Sequence, residues 1–257
     1  MLYRIGQIVP SSNVTMETEI PALLRRRELI RPERFTFHSA RMRMKTVNKD
    51  ELRAMDGESD RCALELSDAA LDVLGYACLV ATMSMGPGYH RVSQARLQER
   101  TVENGHPAAV VTSAGALIDA LHVMGAKKIV LVAPYMKPLT KLVVDYIEQE
   151  GIEVVDCAAL EIPDNIAVGR HDPDRLLGIV RDLRYREADA IITSACVQMP
   201  SLSILPTIEA ATLKPTLSAA VATTCAMLKT LQLESICPGG GALLSGLYGK
   251  DDSVLPR

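Results

Sequence analysis

Ile5-Gly-Gln-Ile-Val-Pro10 and Lys128-Ile-Val-Leu-Val-Ala-Pro134 decide the fold. Each is a short apolar run closed by a proline, and each reads as a strand buried on both faces. Each is answered further on by a second apolar run that ends in cysteine. These are Asp72-Val-Leu-Gly-Tyr-Ala-Cys78 and Asp189-Ala-Ile-Ile-Thr-Ser-Ala-Cys196, where the cysteines stand 68 and 62 residues beyond the prolines. Each half therefore runs strand–Pro–helix–strand–helix–strand–Cys, an internal repeat.

Outward from these runs, strands alternate with helical patterns. Arg34–Ser39, Ala108–Thr112, Ile152–Cys157 and Thr216–Ser218 read as further strands. Thr15–Arg26, Asp50–Ala70, Val92–Asn104, Ala114–Met124, Pro138–Gln149, Asp174–Arg184, Leu202–Thr212 and Ala219–Leu231 read as helices. Gly125 and Gly151 stop two of them, and Pro138 opens one at its first turn. Apolar strands alternating with helices predict an α/β fold of parallel sheets covered on both faces. The repeat predicts two related Rossmann-like half-domains. Ligands of open α/β sheets sit beyond the carboxyl ends of the strands. Both cysteines and both segments after the prolines are then expected at one cleft between the halves.

Composition excludes several functions. The 257 residues carry 28 basic and 31 acidic side chains, a net charge of −3, which provides no basic field for nucleic acid. No run approaches about 18 uncharged apolar residues, so no membrane span is expected. The first residues read as a strand rather than a signal peptide, which points to a reducing cytoplasm. There the six cysteines are not expected to form disulfides, and no pair has zinc-ligand spacing. The five histidines are dispersed, no Walker sequence is present, and both glycine-rich segments miss the third glycine of a dinucleotide loop. No cofactor or metal is expected.

A cysteine at a strand end is ordinarily a small core residue. Two at equivalent places of a repeat point instead to a pair of reactive thiols, as nucleophile and proton donor or as matched acid and base. Cys62, Cys157, Cys225 and Cys237 are expected in the core. Asn13, just past Pro10, and Tyr135, just past Pro134, are placed at the cleft by the repeat, with Asn165 in a loop nearby. Their amide and phenol groups can bind carboxylates without fixed charge, although a loop asparagine also serves as a turn former. The charged stretch Arg41–Lys49 reads as a solvated loop or as a mobile cover over the cleft.

The segments VPSSNVTMETE (9–19), GYACLVATMSMGPGYHR (75–91), VAPYMKPLT (132–140) and IITSACVQMPS (191–201) resemble those of the maleate cis–trans isomerases, members of the Asp/Glu racemase superfamily. The resemblance spans roughly residues 3–248. Amino-acid racemases of the superfamily carry CNT- or CTE-like sequences at their cysteines, and arylmalonate decarboxylases keep one cysteine of the two. Those activities, and a non-catalytic acid-binding protein, are the competing readings. The resemblance implies a cofactor-independent homodimer that turns maleate into fumarate through a succinyl-cysteine. It implies Cys78 as nucleophile and Cys196 as the second catalytic thiol. Asn13, Tyr135 and Asn165 would hold the carboxylates, with backbone groups around Pro10, Val80 and Val197 completing the pocket. Residues 1–106 with 214–257 are expected to form one half-domain and 107–213 the other.

Overall fold

Short strands that are apolar on both faces can be buried only if helices cover the sheet above and below. The structure, a computed structural model, describes residues 1–44 and 47–248 and builds that arrangement twice. The first half contains β1 (Leu2–Pro10), α1 (Met16–Arg27), β2 (Arg34–Met42), α2 (Lys49–Ser67), β3 (Val73–Tyr76), α3 (Leu79–Ser84), α4 (Tyr89–Glu103) and β4 (Ala109–Thr112). After α5 (Ser113–Val123), the second half contains β5 (Lys128–Ala133), α6 (Lys137–Gln149), β6 (Glu153–Ala159), α7 (Asn165–Gly169), α8 (Arg175–Asp182), β7 (Ala190–Ser194), α9 (Leu205–Thr212) and β8 (Thr216–Ser218). The last long helix is α10 (Ala219–Thr230).

Two four-stranded sheets result, ordered β2-β1-β3-β4 and β6-β5-β7-β8, and every pairing is parallel. The orders are the same, so the repeat read from the sequence is a repeat of topology. The strands β3 and β7, which lead to the two cysteines, are buried along their whole length. Helix α10 packs on α5, on α1 and on the β3–β4 edge. Gly75 faces it: a Cβ there would lie 2.1 Å from Met227 Cε of α10, so that methionine would have to shift.

The expected half-domain cuts, before residues 107 and 214, fall just ahead of β4 and β8. Strand β4 pairs with β3 in the first sheet and β8 with β7 in the second. The chain thus crosses between sheets a few residues later than expected, at the β4–α5 and β8–α10 junctions. Strands this short show their apolar character in sequence but not which sheet they join. Residues 79–84 form a helix where only an uncharged stretch was read, and Asn165 opens a helix rather than sitting in a loop. Cys157 lies exposed on β6 at the edge of its sheet, not in the core. Cys62, Cys225 and Cys237 are buried as expected.

One polar cluster ties the helices to the end of β3. The Asp56 carboxylate of α2 is buried, accepts 2.7 Å hydrogen bonds from the Tyr76 and Tyr89 hydroxyls, and pairs with Arg96 of α4 at 3.1 Å. Tyr76 is the last residue of β3, two positions before Cys78. Burial and the adjacent Asp56 raise the Tyr76 phenol well above its ordinary pKa, so it stays a donor. Asp56→Ala strands these donors and is expected to cost about 2–3 kcal/mol in urea unfolding. Glu58→Ala, at the exposed ion pair on the same helix, is expected to leave the midpoint unchanged.

Candidate active site

The parallel sheets send the carboxyl ends of β1, β3, β5 and β7 toward one cleft. All eight residues expected at the site line a single small cavity there: Pro10, Asn13, Cys78, Val80, Tyr135, Asn165, Cys196 and Val197. Met44, Val47, Leu79 and Gln198 complete the lining. None of these twelve side chains is charged. Among the described residues, no group of three or more His, Cys, Asp or Glu comes together to hold a metal ion. A larger hollow, walled mainly by apolar side chains, adjoins the cavity and shares Val47, Tyr135 and Asn165 with it.

The first thiol is presented by a sharp turn. The N–H of Ala77 still bonds to Ile8 O, which extends the β1–β3 pairing one residue past β3. Cys78 then adopts a left-handed backbone, φ 84° and ψ 71°, and α3 begins at the next residue. This conformation costs a non-glycine residue of order 1–3 kcal/mol and persists only where its surroundings enforce it. Here the Cys78 carbonyl accepts from the Thr82 N–H, and the Ser113 hydroxyl donates to Tyr76 O. Burial pushes the Cys78 thiol up to about 12; the Ala81 N–H works against this, and the nearby Cys196 and Asp56 add to it.

The second thiol sits in a richer set of donors. The N–H of Ala195 bonds to Val132 O, the counterpart of the Ala77 bond in the other sheet. The Gln198 N–H points at Cys196 Sγ from 3.4 Å. Burial raises the Cys196 pKa, and the Tyr135 hydroxyl with the Gln198 and Met199 N–H groups opposes the rise. Tyr135 donates to Ala195 O at 3.1 Å, and burial holds its phenol well above the usual range, so it remains protonated.

The carboxamides are oriented by their own bonds. Asn13 Oδ1 accepts from the Met16 N–H at 3.1 Å, which leaves the amide Nδ2 as the group available to a ligand. Asn165, placed at the start of α7 by the Asp164 cap, donates from Nδ2 to Ser12 Oγ across the cleft at 2.7 Å. Arg41 does not line the cavity. It donates to the Ser11 and Asn13 carbonyls and pairs with Glu17, bracing the β1–α1 turn. In the charged stretch 41–49, Met44 and Val47 reach the cavity, and residues 45 and 46 lie outside the described residues. Gln198 is the lining residue that sequence reasoning passed over. It sits inside the quoted cysteine segment, but nothing in a single sequence marks its partners.

A family model described as Amdase, arylmalonate decarboxylase, matches residues 5–244. The chain is 67% identical over 247 residues to the maleate isomerase of Pseudomonas putida strain KT2440, an overlap of 96% of this chain and 99% of that protein. It is similar, with a TM-score of 0.96 and 64% identity, to the crystal structure of a cysteine-to-alanine variant of the maleate isomerase Iso from Pseudomonas putida S16 with maleate, covering 97% of this chain and 100% of that one. A cysteine-to-serine variant of Nocardia farcinica maleate cis–trans isomerase, described with a covalently bound succinylcysteine intermediate, matches with a TM-score of 0.92 and 45% identity over 95% of this chain and 99% of that one.

Burial raises both cavity thiols, so both are protonated at neutral pH. Iodoacetamide at pH 7 is expected to modify exposed Cys157 first and to leave Cys78 and Cys196 largely intact, as read by peptide mass spectrometry. The rate at Cys78 is expected to climb about tenfold per pH unit as its thiolate fraction grows. Equal rates at Cys78 and Cys157 at pH 7 would contradict the shift.

Proposed function

The chain belongs to the maleate isomerases, within the arylmalonate decarboxylase family, and from that premise we propose how its residues divide the work. The reaction is the cis–trans isomerisation of maleate to fumarate. The observation that carries the assignment of roles is the pair of strand-end thiols, one from each matching sheet, that line one cavity whose described lining side chains are uncharged.

Maleate cannot rotate about its double bond, so catalysis must make that bond temporarily single. The Cys78 thiolate adds to one alkene carbon. The π electrons move to the neighbouring carbon and onto its carboxylate as an enediolate. Cys196 then gives its proton to that carbon, and a succinyl-cysteine results. After rotation, the Cys196 thiolate takes the proton back, the double bond re-forms, and the Cys78 thiolate leaves. Atoms and electrons balance once Cys78 has given its own proton to solvent, and the thiolate that leaves at the end is ready for the next turn.

The surroundings suit this division. Cys196 must become a thiolate in mid-reaction, and Tyr135 and two backbone N–H groups stabilise that form. Cys78 has fewer such donors, and a less stabilised thiolate is the stronger nucleophile. In the N. farcinica relative an adduct formed although one cysteine had been replaced, so a different cysteine carries it there. Asn13, Asn165 and Tyr135, with backbone groups at Pro10, Val80 and Val197, hold the carboxylates and the enediolate. Fixed neutral donors in a dry pocket stabilise such developing charge without a cationic clamp. Met44 and Val47 close the cavity from the 41–49 side. On the strength of the family resemblance, this reading also takes the enzyme to be a cytoplasmic homodimer.

Intact-mass measurement after incubation with maleate tests the roles. Cys196→Ser is expected to accumulate an adduct of one maleic acid on Cys78, and Cys78→Ala is expected to form none. An adduct on Cys196 in Cys78→Ala would reverse the assignment. Asn13→Ala and Asn165→Ala are each expected to lower kcat about a hundredfold, the effect of removing one oxyanion donor. Turnover unchanged in either variant would remove that residue from the site.

A further inference from the structure

Every hydrogen-bonding group of the Gln198 side chain is occupied, and every partner lies on a segment that carries a site residue. Its Oε1 accepts from the Val14 N–H at 2.9 Å and the Thr15 N–H at 3.4 Å. Its Nε2 donates to Ser12 O at 3.0 Å and to Asn165 O at 3.0 Å. The first three partners flank Asn13 in the β1–α1 turn, and the fourth is Asn165 itself. The backbone N–H of the same residue points at Cys196 Sγ. The side chain is 2% exposed. With both lone-pair directions and both N–H groups engaged, its amide has nothing left to offer a substrate.

A second feature of the fold serves the same amide. Gly169, at the end of α7, faces Gln198 so closely that a Cβ there would lie 2.5 Å from Nε2 and 3.1 Å from Cδ. Its backbone is not in the left-handed region, so conformation does not require glycine at this position. Space for the Gln198 amide does.

We propose that Gln198 is a positioning residue of the isomerisation: a strut between the two half-domains that sets the spacing of the Asn13 and Asn165 carboxamides across the cleft. This rests on the reading that those carboxamides hold the substrate carboxylates. The strut matters because the two asparagines come from different halves. Among the bonds described here, only the Ser12–Asn165 side-chain contact otherwise joins their segments directly. A misplacement of about 1 Å at such groups costs on the order of a hundredfold in rate.

Two variants test the strut, each assayed on maleate with urea unfolding as a control. Gly169→Ala leaves Gln198 chemically intact and adds one methyl group against its amide. It is expected to lower kcat/KM by on the order of a hundredfold, mostly in kcat, because the donors are present but wrongly spaced. Values within about twofold of wild type would overturn the proposal. Gln198→Glu keeps the acceptor for Val14 and Thr15 but faces the Ser12 and Asn165 carbonyls with no donor. Protonation of the introduced carboxyl restores one donor, so the activity of this variant relative to wild type is expected to rise as pH falls from 8 to 6. A ratio independent of pH would overturn the donor role, and a simple loss of packing would give that flat ratio. Should Gln198→Glu fail to fold, Gly169→Ala still decides the question. A wild-type enzyme inactive on maleate would instead defeat the underlying assignment and leave the strut geometry untouched.

Discussion

Desolvation of two thiols, in a cavity whose described lining side chains are all uncharged, is the constraint on which the site depends. Burial makes each thiolate costly, and a dianionic substrate adds to the cost. Among the described residues, no cation lines the cavity to offset it. Partial charges must do so instead: the N–H groups at the start of α3 and in the turn after Cys196, the Tyr135 hydroxyl, and the carboxamides. Each is useful only at hydrogen-bond distance, so the scaffold has to be stiff. The left-handed turn at Cys78, the Asp56 cluster behind it and the Gln198 amide between the halves supply that stiffness.

Topological repetition and chemical asymmetry work together. Two sheets of the same strand order bring equivalent strand ends face to face, which is how two cysteines far apart in sequence come to share a cavity. The copies differ in what surrounds each thiol. Cys196 receives a phenol and two amides, whereas Cys78 receives one amide and stands nearer the Asp56 carboxylate. A symmetric pair would suit a reaction whose two directions are mirror images. The asymmetric pair suits one thiol that bonds to carbon and one that moves a proton.

Much of this was legible in the sequence, and the reason is physical. Strands buried on both faces must be apolar throughout, so β1, β3, β5 and β7 announced themselves, and the prolines and cysteines at their ends marked the repeat. All eight expected site residues line the cavity: seven lie at or just past the ends of β1, β3, β5 and β7, and Asn165 is brought there by the start of α7. What was not legible depends on contacts across long separations. The half-domain of β4 and β8 is decided by which neighbour they pair with, not by their own composition. Cys157 looked like a core residue because its strand is apolar, but that strand lies at an edge. Helix α3 was obscured because its six residues are uncharged and five of them are buried, a pattern that also fits a strand. Gln198 reaches partners more than 180 residues away in the β1–α1 turn, and no local pattern encodes that.

Burial keeps both thiols protonated at neutral pH, and the pair must release one proton to become reactive. The dependence of kcat/KM on pH tests this most directly, since it reports ionisations of the free enzyme. kcat/KM for maleate is expected to rise about tenfold per pH unit through the neutral range, following the minor singly ionised form. A plateau already established near pH 6 would mean that a thiolate exists before substrate arrives, and would contradict it.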